Sequence, residues 1–237
     1  MPAQKYPESE VEAKDIKFKS EGLELGGYLA RPKTSQALPA LLLIHEWWGL
    51  NDHIKDVARR YAREGFVTLA VDLYGGRIAK DADQASRWMG ELKPEAGVRI
   101  IRAAFSYLHP QPYVKSGRVA ITGFCMGGSF ALLGACHIPE LKAAAPFYGD
   151  IPDPDDPIKN IRCPILFIGA EKDPWITMDK MNRLKSAIPK YGLTGEVHVY
   201  PGAQHAFFNN TRPEAYNADA AADAWARVTR FLHQHLD

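Results

Sequence analysis

The stretch Arg118-Val-Ala-Ile-Thr-Gly-Phe-Cys-Met-Gly-Gly128 decides how this chain reads. An apolar run at 119–122 passes straight into G-F-C-M-G-G and then into small residues with helical character. That is the layout of a nucleophile elbow: the central residue sits strained at a helix N-terminus, and flanking glycines leave room for strand and helix to cross closely. The central residue is Cys125. A thiol there gains from the positive helix end and from any nearby histidine, both of which favour the thiolate, the reactive form. The plainer alternative is a small core cysteine beside a glycine-rich packing contact, since free cysteines are commonly buried and inert. Glycines at both second neighbours, directly after a buried strand, speak for the elbow.

Outward from the elbow, strand and helix patterns alternate. Residues 40–44 are continuously apolar, which reads as a strand buried on both faces. Asn51 or Asp52 then caps a helix carrying Ile54, Val57, Ala58, Tyr61 and Ala62 at helical spacing, and Gly65 ends it before a buried strand at 66–71. Ahead of these, 16–19 and 23–30 alternate like exposed edge strands, while 1–14 reads as a loose polar extension. Downstream come helices at 81–92 and from Pro94 to 108, the strand at 119–122, and a helix from about Gly127. Further strands at 143–148, 165–169 and 196–200 follow, with helices at 177–190 and 219–235. Such alternation predicts an α/β fold with a mostly parallel sheet covered by helices on both faces, because parallel neighbours need crossovers. No linker divides the chain, so a single domain over 1–237 is expected, with 150–156 a surface loop. Sites in such sheets lie at strand C-termini.

Composition agrees with a globular domain. The 237 residues are 46% hydrophobic and 24% charged, enough apolar material for a sizeable core. Lys and Arg number 29 against 28 Asp and Glu, a net charge of +1, so nothing global draws the chain to nucleic acid or an anionic membrane. No apolar stretch approaches the roughly 20 residues of a membrane span, and the start of the chain is too polar for a signal peptide. A soluble, cytoplasmic protein is expected. Cys125, Cys136 and Cys163 cannot all pair, which suits a reducing compartment. Cys136 lies among apolar helix residues and reads as packing; Cys163, before Pro164, has no metal-like Cys/His spacing near it.

A nucleophile needs a base, and the base an orienting acid. Residues 165–169 run into a loop holding Asp173, 48 residues after Cys125, and the strand at 196–200 runs into Pro-Gly-Ala-Gln-His205, 32 residues further on. Nucleophile, acid and histidine in that order are the arrangement of α/β-hydrolases, with His205 as base and Asp173 fixing its tautomer. Glu171 and Asp150 are reserve acids and His45 the reserve base. His198 sits mid-strand, and His53, His137, His233 and His235 read as solvated. The oxyanion needs backbone N–H donors, and Met126 and Trp47 occupy the matching positions. Next to Trp47, Glu46 is unexpected, since a carboxylate near a thiol raises its pKa. It either regulates the thiol or ends its strand and pairs with a surface cation.

The residues resemble the dienelactone hydrolase family through H-E-W-W-G at His45 to Gly49, D-L-Y-G-G at Asp72 to Gly76 and G-F-C-M-G-G at Gly123 to Gly128. The strand and loop contexts of Asp173 and His205 also fit, so the likeness covers nearly the whole chain from about Asp15. It implies an α/β-hydrolase fold, a Cys-His-Asp triad on Cys125, His205 and Asp173, and hydrolysis of enol lactones such as dienelactone with no metal or cofactor. It also implies that Glu46 interacts with the resting thiol and is displaced by substrate. Dienelactone-specific members grip the substrate carboxylate with two arginines, one near the tyrosine of D-L-Y and one four residues after the histidine. Tyr74 and Arg77, one residue out of step, are the candidates for the first contact; Asn209 occupies the second position, so strict dienelactone specificity does not follow. The expected activity is cysteine-dependent hydrolysis of small esters or lactones through a thioester on Cys125. A broad carboxylesterase or thioesterase is the alternative enzyme, and a thiol-based redox sensor or binding protein the non-enzymatic one. Oligomeric state and physiological substrate are not written in the sequence.

Overall fold

The computed structural model of the protein describes residues 6–237. Among these, eight strands form one sheet: β1 (Val11–Ser20), β2 (Leu23–Pro32), β3 (Leu38–Ile44), β4 (Val67–Val71), β5 (Val114–Phe124), β6 (Ala143–Phe147), β7 (Ile165–Ala170) and β8 (Gly195–Tyr200). Their order across the sheet is β1-β2-β4-β3-β5-β6-β7-β8. The β1/β2 and β2/β4 pairs are antiparallel, and every other pair is parallel. The long helices are α1 (Asp52–Arg63), α2 (Ala82–Glu91), α3 (Pro94–Leu108), α4 (Met126–His137), α5 (Met178–Lys190) and α6 (Ala218–Leu236). None of the described helices is long and apolar enough to cross a membrane.

Local chemistry sets the boundaries. The Asn51 side chain accepts from the Ile54 N–H at 3.2 Å to start α1, and Gly65, at φ +97°, turns the chain out after it. Asp81 caps α2 by accepting from the Gln84 N–H at 2.8 Å, and Pro94 takes the first position of α3, where its missing N–H costs nothing. β3 shows why its sequence is apolar throughout. Leu42 and Ile44 belong to the apolar layer that also holds Ile101, Phe105, Phe130 and Leu184 from α3, α4 and α5. Leu41 and Leu43 pack on the opposite face with Ile54, Val57, Tyr61, Val228 and Leu232 from α1 and α6. Each such buried side chain contributes roughly 1.5–3 kcal/mol of transfer free energy.

Three expectations need correction. β1 begins at Val11, not Ile16, and so takes in part of the segment read as a loose extension; residues 1–5 lie outside the described ones. Its register pairs Val11 with Pro32, so backbone hydrogen bonding holds a stretch too polar to signal a strand. β2 is not an edge: it lies between β1 and β4. His53 is buried rather than solvated, and burial depresses its pKa to about 4.

From β3 the chain moves outward to β4 on one side, and from β5 it moves to β6 on the other. β3 and β5 are neighbours, so their C-terminal ends border the crevice where the strand order reverses, the usual place for a ligand in an open α/β sheet. Glu46 and Cys125 lie just past those two ends.

Candidate active site

Cys125 stands between β5 and α4 with φ 56° and ψ −122°, a conformation that costs a non-glycine residue on the order of 1–3 kcal/mol. The surroundings enforce it. A Cβ on Gly123 would run into the Gly127 carbonyl, and one on Gly127 would strike the carbonyls of Ile44 and His45, so only glycine lets α4 cross the ends of β3 and β5 so closely. Cys125 donates its N–H to the Phe147 carbonyl at 3.1 Å, and its own carbonyl accepts from Gly128 at 2.8 Å and Ser129 at 3.1 Å. The half-buried thiol therefore sits at the positive end of a helix. Met126 opens that helix, so its N–H has no intrahelical acceptor. Trp47 follows Glu46 in the turn closed by Gly49 N–H to Glu46 O at 3.2 Å.

His205 and Asp173 arrive from β8 and β7. Their Nδ1 and Oδ2 atoms are 2.6 Å apart, with the Asp173 side chain fully buried. Asp173 Oδ1 accepts from the N–H groups of Trp175 and Ile176, both at 2.9 Å, so one carboxylate oxygen is fixed by backbone and the other is left for the imidazole. Asp173 Oδ2 accepts a hydrogen bond from the imidazole at Nδ1, which leaves Nε2 for Cys125, the other side chain to which His205 hydrogen-bonds. Burial works against a charged imidazole, but hydrogen bonding to Asp173 and Cys125 outweighs it and lifts the His205 pKa to about 10.

The reserve groups are committed elsewhere. Both ring nitrogens of His45 serve backbone: Nδ1 lies 2.6 Å from the Glu46 carbonyl, and Nε2 accepts from the Leu73 N–H at 3.1 Å. Glu171 accepts from Gly202, and Asp150 pairs with Lys180 at 2.8 Å. Cys136 and Cys163 are buried, which pushes each thiol to about 12. Among the described residues no cluster of three or more His, Cys, Asp or Glu side chains is placed to hold a metal ion.

Glu46 is 2% exposed and makes no surface ion pair among the described residues. Its Oε2 accepts from Asn209 Nδ2 at 2.7 Å. Burial raises the pKa of the carboxyl, and the Asn209 hydrogen bond and the charges of His205 and Arg212 pull it back only in part. Tyr74 is buried and donates to Met126 Sδ at 3.2 Å, against the elbow. Arg77 stacks over Trp88 at 4.8 Å, donates to the Tyr74 carbonyl, and meets Glu91 at 3.4 Å with about half of its side chain exposed.

Two neighbours of His205 went unnoticed in the sequence. Tyr148 packs edge-on against the imidazole at 5.1 Å, with φ +35° and a buried hydroxyl. Trp175, 61% exposed, also meets the imidazole edge-on, at 5.0 Å. Tyr148 ends a run expected as strand and precedes Gly149, a weak signal at best; Trp175 stands two residues beyond the acid, where a site rim was to be expected.

The model of the dienelactone hydrolase family matches residues 25–236. The chain belongs to the dienelactone hydrolase family. Its dienelactone hydrolase relatives include a protein of Aquifex aeolicus named "Putative carboxymethylenebutenolidase", 36% identical over 93% of this chain and 98% of its own length. "Protein usf" of Aquifex pyrophilus is 35% identical with the same coverage. Among solved structures, a dienelactone hydrolase of Klebsiella pneumoniae, titled putative, superposes with a TM-score of 0.88 at 29% identity, covering 94% of this chain and 99% of its own. A dienelactone hydrolase-like promiscuous phosphotriesterase from metagenomic libraries has the same TM-score at 25% identity, covering 96% and 99%. The protein is thus a hydrolase of dienelactone hydrolase type with the α/β-hydrolase fold.

Proposed function

We propose that this hydrolase cleaves small esters and lactones through a thioester on Cys125. The observation that carries the reading is the contiguous Asp173, His205 and Cys125 at the strained elbow, with the 2.6 Å bond fixing the imidazole. Transfer of the Cys125 proton to His205 Nε2 gives a thiolate and an imidazolium, and a His205 pKa raised to about 10 favours the protonated imidazole. The thiolate sulfur attacks the carbonyl carbon, and the N–H groups of Trp47 and Met126 receive the oxyanion. As the tetrahedral centre collapses, the C–O bond breaks and the imidazolium gives its proton to the leaving oxygen. In a lactone that oxygen stays tethered to the acyl group. The neutral imidazole then takes a proton from water, the hydroxide oxygen adds to the thioester, and the C–S bond breaks to restore thiolate and imidazolium. Incubation with activated aryl esters and with dienelactone, followed by mass spectrometry, tests the reading: an acyl adduct on Cys125 is expected, and turnover without one would refute it.

The Glu46 carboxylate, buried within electrostatic reach of His205, suppresses the thiolate in the resting enzyme. Glu46→Gln is accordingly expected to make Cys125 alkylate roughly three- to tenfold faster near neutral pH without substrate, a shift of about half a unit to one unit in the pH profile. Superimposed profiles would leave Glu46 a structural residue.

Substrate preference rests on Arg77. Its contact with Glu91 is long and exposed, worth at most about 1 kcal/mol, and can be exchanged for a substrate carboxylate. A charged hydrogen-bonded grip is worth roughly 1.5–3 kcal/mol, so Arg77→Ala should lower kcat/KM for dienelactone by about one to two decades and leave aryl acetates and butyrates unaffected. Equal loss on both substrate types would place the carboxylate elsewhere.

A further inference from the structure

We propose that Asn209 is a positioning residue that holds the Glu46 carboxylate in place beside His205, so that the loop after β8 governs the resting thiol as well as supplying the base. The inference rests on the reading of Glu46 given above.

A buried carboxylate without partners is costly. Among the described residues Glu46 has one side-chain hydrogen bond, from Asn209 Nδ2 at 2.7 Å, and the two residues are 2% and 1% exposed. The orientation of the amide is independently fixed. Asn209 Oδ1 accepts from the Thr211 N–H at 3.0 Å and from Thr211 Oγ1 at 2.6 Å, so the carbonyl end is occupied and the amino end must face Glu46. Backbone bonds from Asn209 N–H to Ala206 O at 2.9 Å and from Arg212 N–H to Asn209 O at 3.1 Å tie this turn to His205. Ala206, at φ +64°, makes the sharp bend between them. The other polar or charged groups that face Glu46 are His205, Arg212 and the Tyr148 hydroxyl; Arg212 is shared with Glu214 at 2.8 Å. Of these groups, Asn209 is the one hydrogen-bonded to the carboxylate among the described residues. Its amide is therefore engaged within the protein, with Glu46 on one side and Thr211 on the other.

A hydrogen bond donated to a carboxylate favours its charged form. Without Asn209 a larger share of Glu46 is neutral, and a neutral Glu46 opposes the thiolate less. Asn209→Ala should therefore act in the same direction as Glu46→Gln and through it.

The experiment measures iodoacetamide alkylation of Cys125 from pH 5 to 9 without substrate, for the wild type, Glu46→Gln, Asn209→Ala, the double variant and Thr211→Val, with thermal melts to confirm folding. Asn209→Ala is expected to alkylate about two- to fivefold faster near neutral pH, less than Glu46→Gln, and the double variant no faster than Glu46→Gln alone. Thr211→Val, which removes the hydroxyl that orients the amide, should shift the profile the same way by a smaller factor, and it carries the test if Asn209→Ala does not fold. If Glu46→Gln shifts the profile and neither Asn209→Ala nor Thr211→Val does, the positioning role is wrong and the Glu46 reading stands. Full acceleration by Asn209→Ala in the Glu46→Gln background would also overturn it, because the effect would then bypass the carboxylate. An unshifted Glu46→Gln overturns both readings.

Discussion

Cys125→Ala is expected to remove ester and lactone hydrolysis to near the uncatalysed level, a loss of at least about four orders of magnitude in kcat. The fold should survive. Alanine keeps the Cβ and therefore the same strained backbone at φ 56°, and the close crossing of α4 over the strand ends depends on Gly123 and Gly127, not on the sulfur. Cys136→Ala is the matched control. Its thiol is buried and held at about 12, so the change should cost some packing and little turnover. Steady-state rates on an aryl acetate, with thermal melts of each variant, separate these outcomes. Ordinary turnover by Cys125→Ala would end the nucleophile assignment.

His205→Ala is expected to slow acylation by several orders of magnitude, and Asp173→Asn to cost less. In Asp173→Asn the oxygen that accepts from Trp175 and Ile176 can be retained, while the amide can no longer accept the Nδ1 proton, so position is kept and tautomer is lost. A pre-steady-state burst measurement reads the acylation step directly. Near-normal bursts from His205→Ala would mean that another group takes the proton, and His45, with both ring nitrogens bound to backbone, is not free to do so. The raised pKa also has a signature in stability. Folding lifts His205 from an ordinary value near 6.5 to about 10, so its contribution is fully present below about pH 6.5 and lost as pH rises through 10. The gap in melting temperature between wild type and His205→Ala should narrow between pH 7 and 10.

What the sequence made legible was whatever backbone sterics and strand order determine. Gly123 and Gly127 flank Cys125 because nothing larger fits there, and that necessity is visible in the residue types. Asp173 and His205 could be found because each follows a β-rich run, and parallel strands deliver their C-terminal loops to one edge. The bond between Glu46 and Asn209 spans 163 residues and involves two side chains with many other options, so no local pattern announces it. The same holds for Tyr148, whose place against His205 depends on how β6 sits between β5 and β7. β1 was misplaced for a different reason: its exposed outer residues carry no apolar signal, and pairing with β2 alone makes it a strand.

The proposed base, His205, hangs from the last strand of the sheet. β8 has one neighbour, β7, and much of its length is open to solvent; a bond of 2.6 Å from Tyr200 Oη to Asp223 ties its end to α6. Edge elements of this kind open locally at a smaller free-energy cost than the whole domain. The working lifetime of the catalyst is therefore set by the weakest seam of the molecule rather than by its core, and an effort to make it durable would begin at the β7–β8 ladder and the Tyr200–Asp223 tie, not in the layers of leucine and isoleucine beneath.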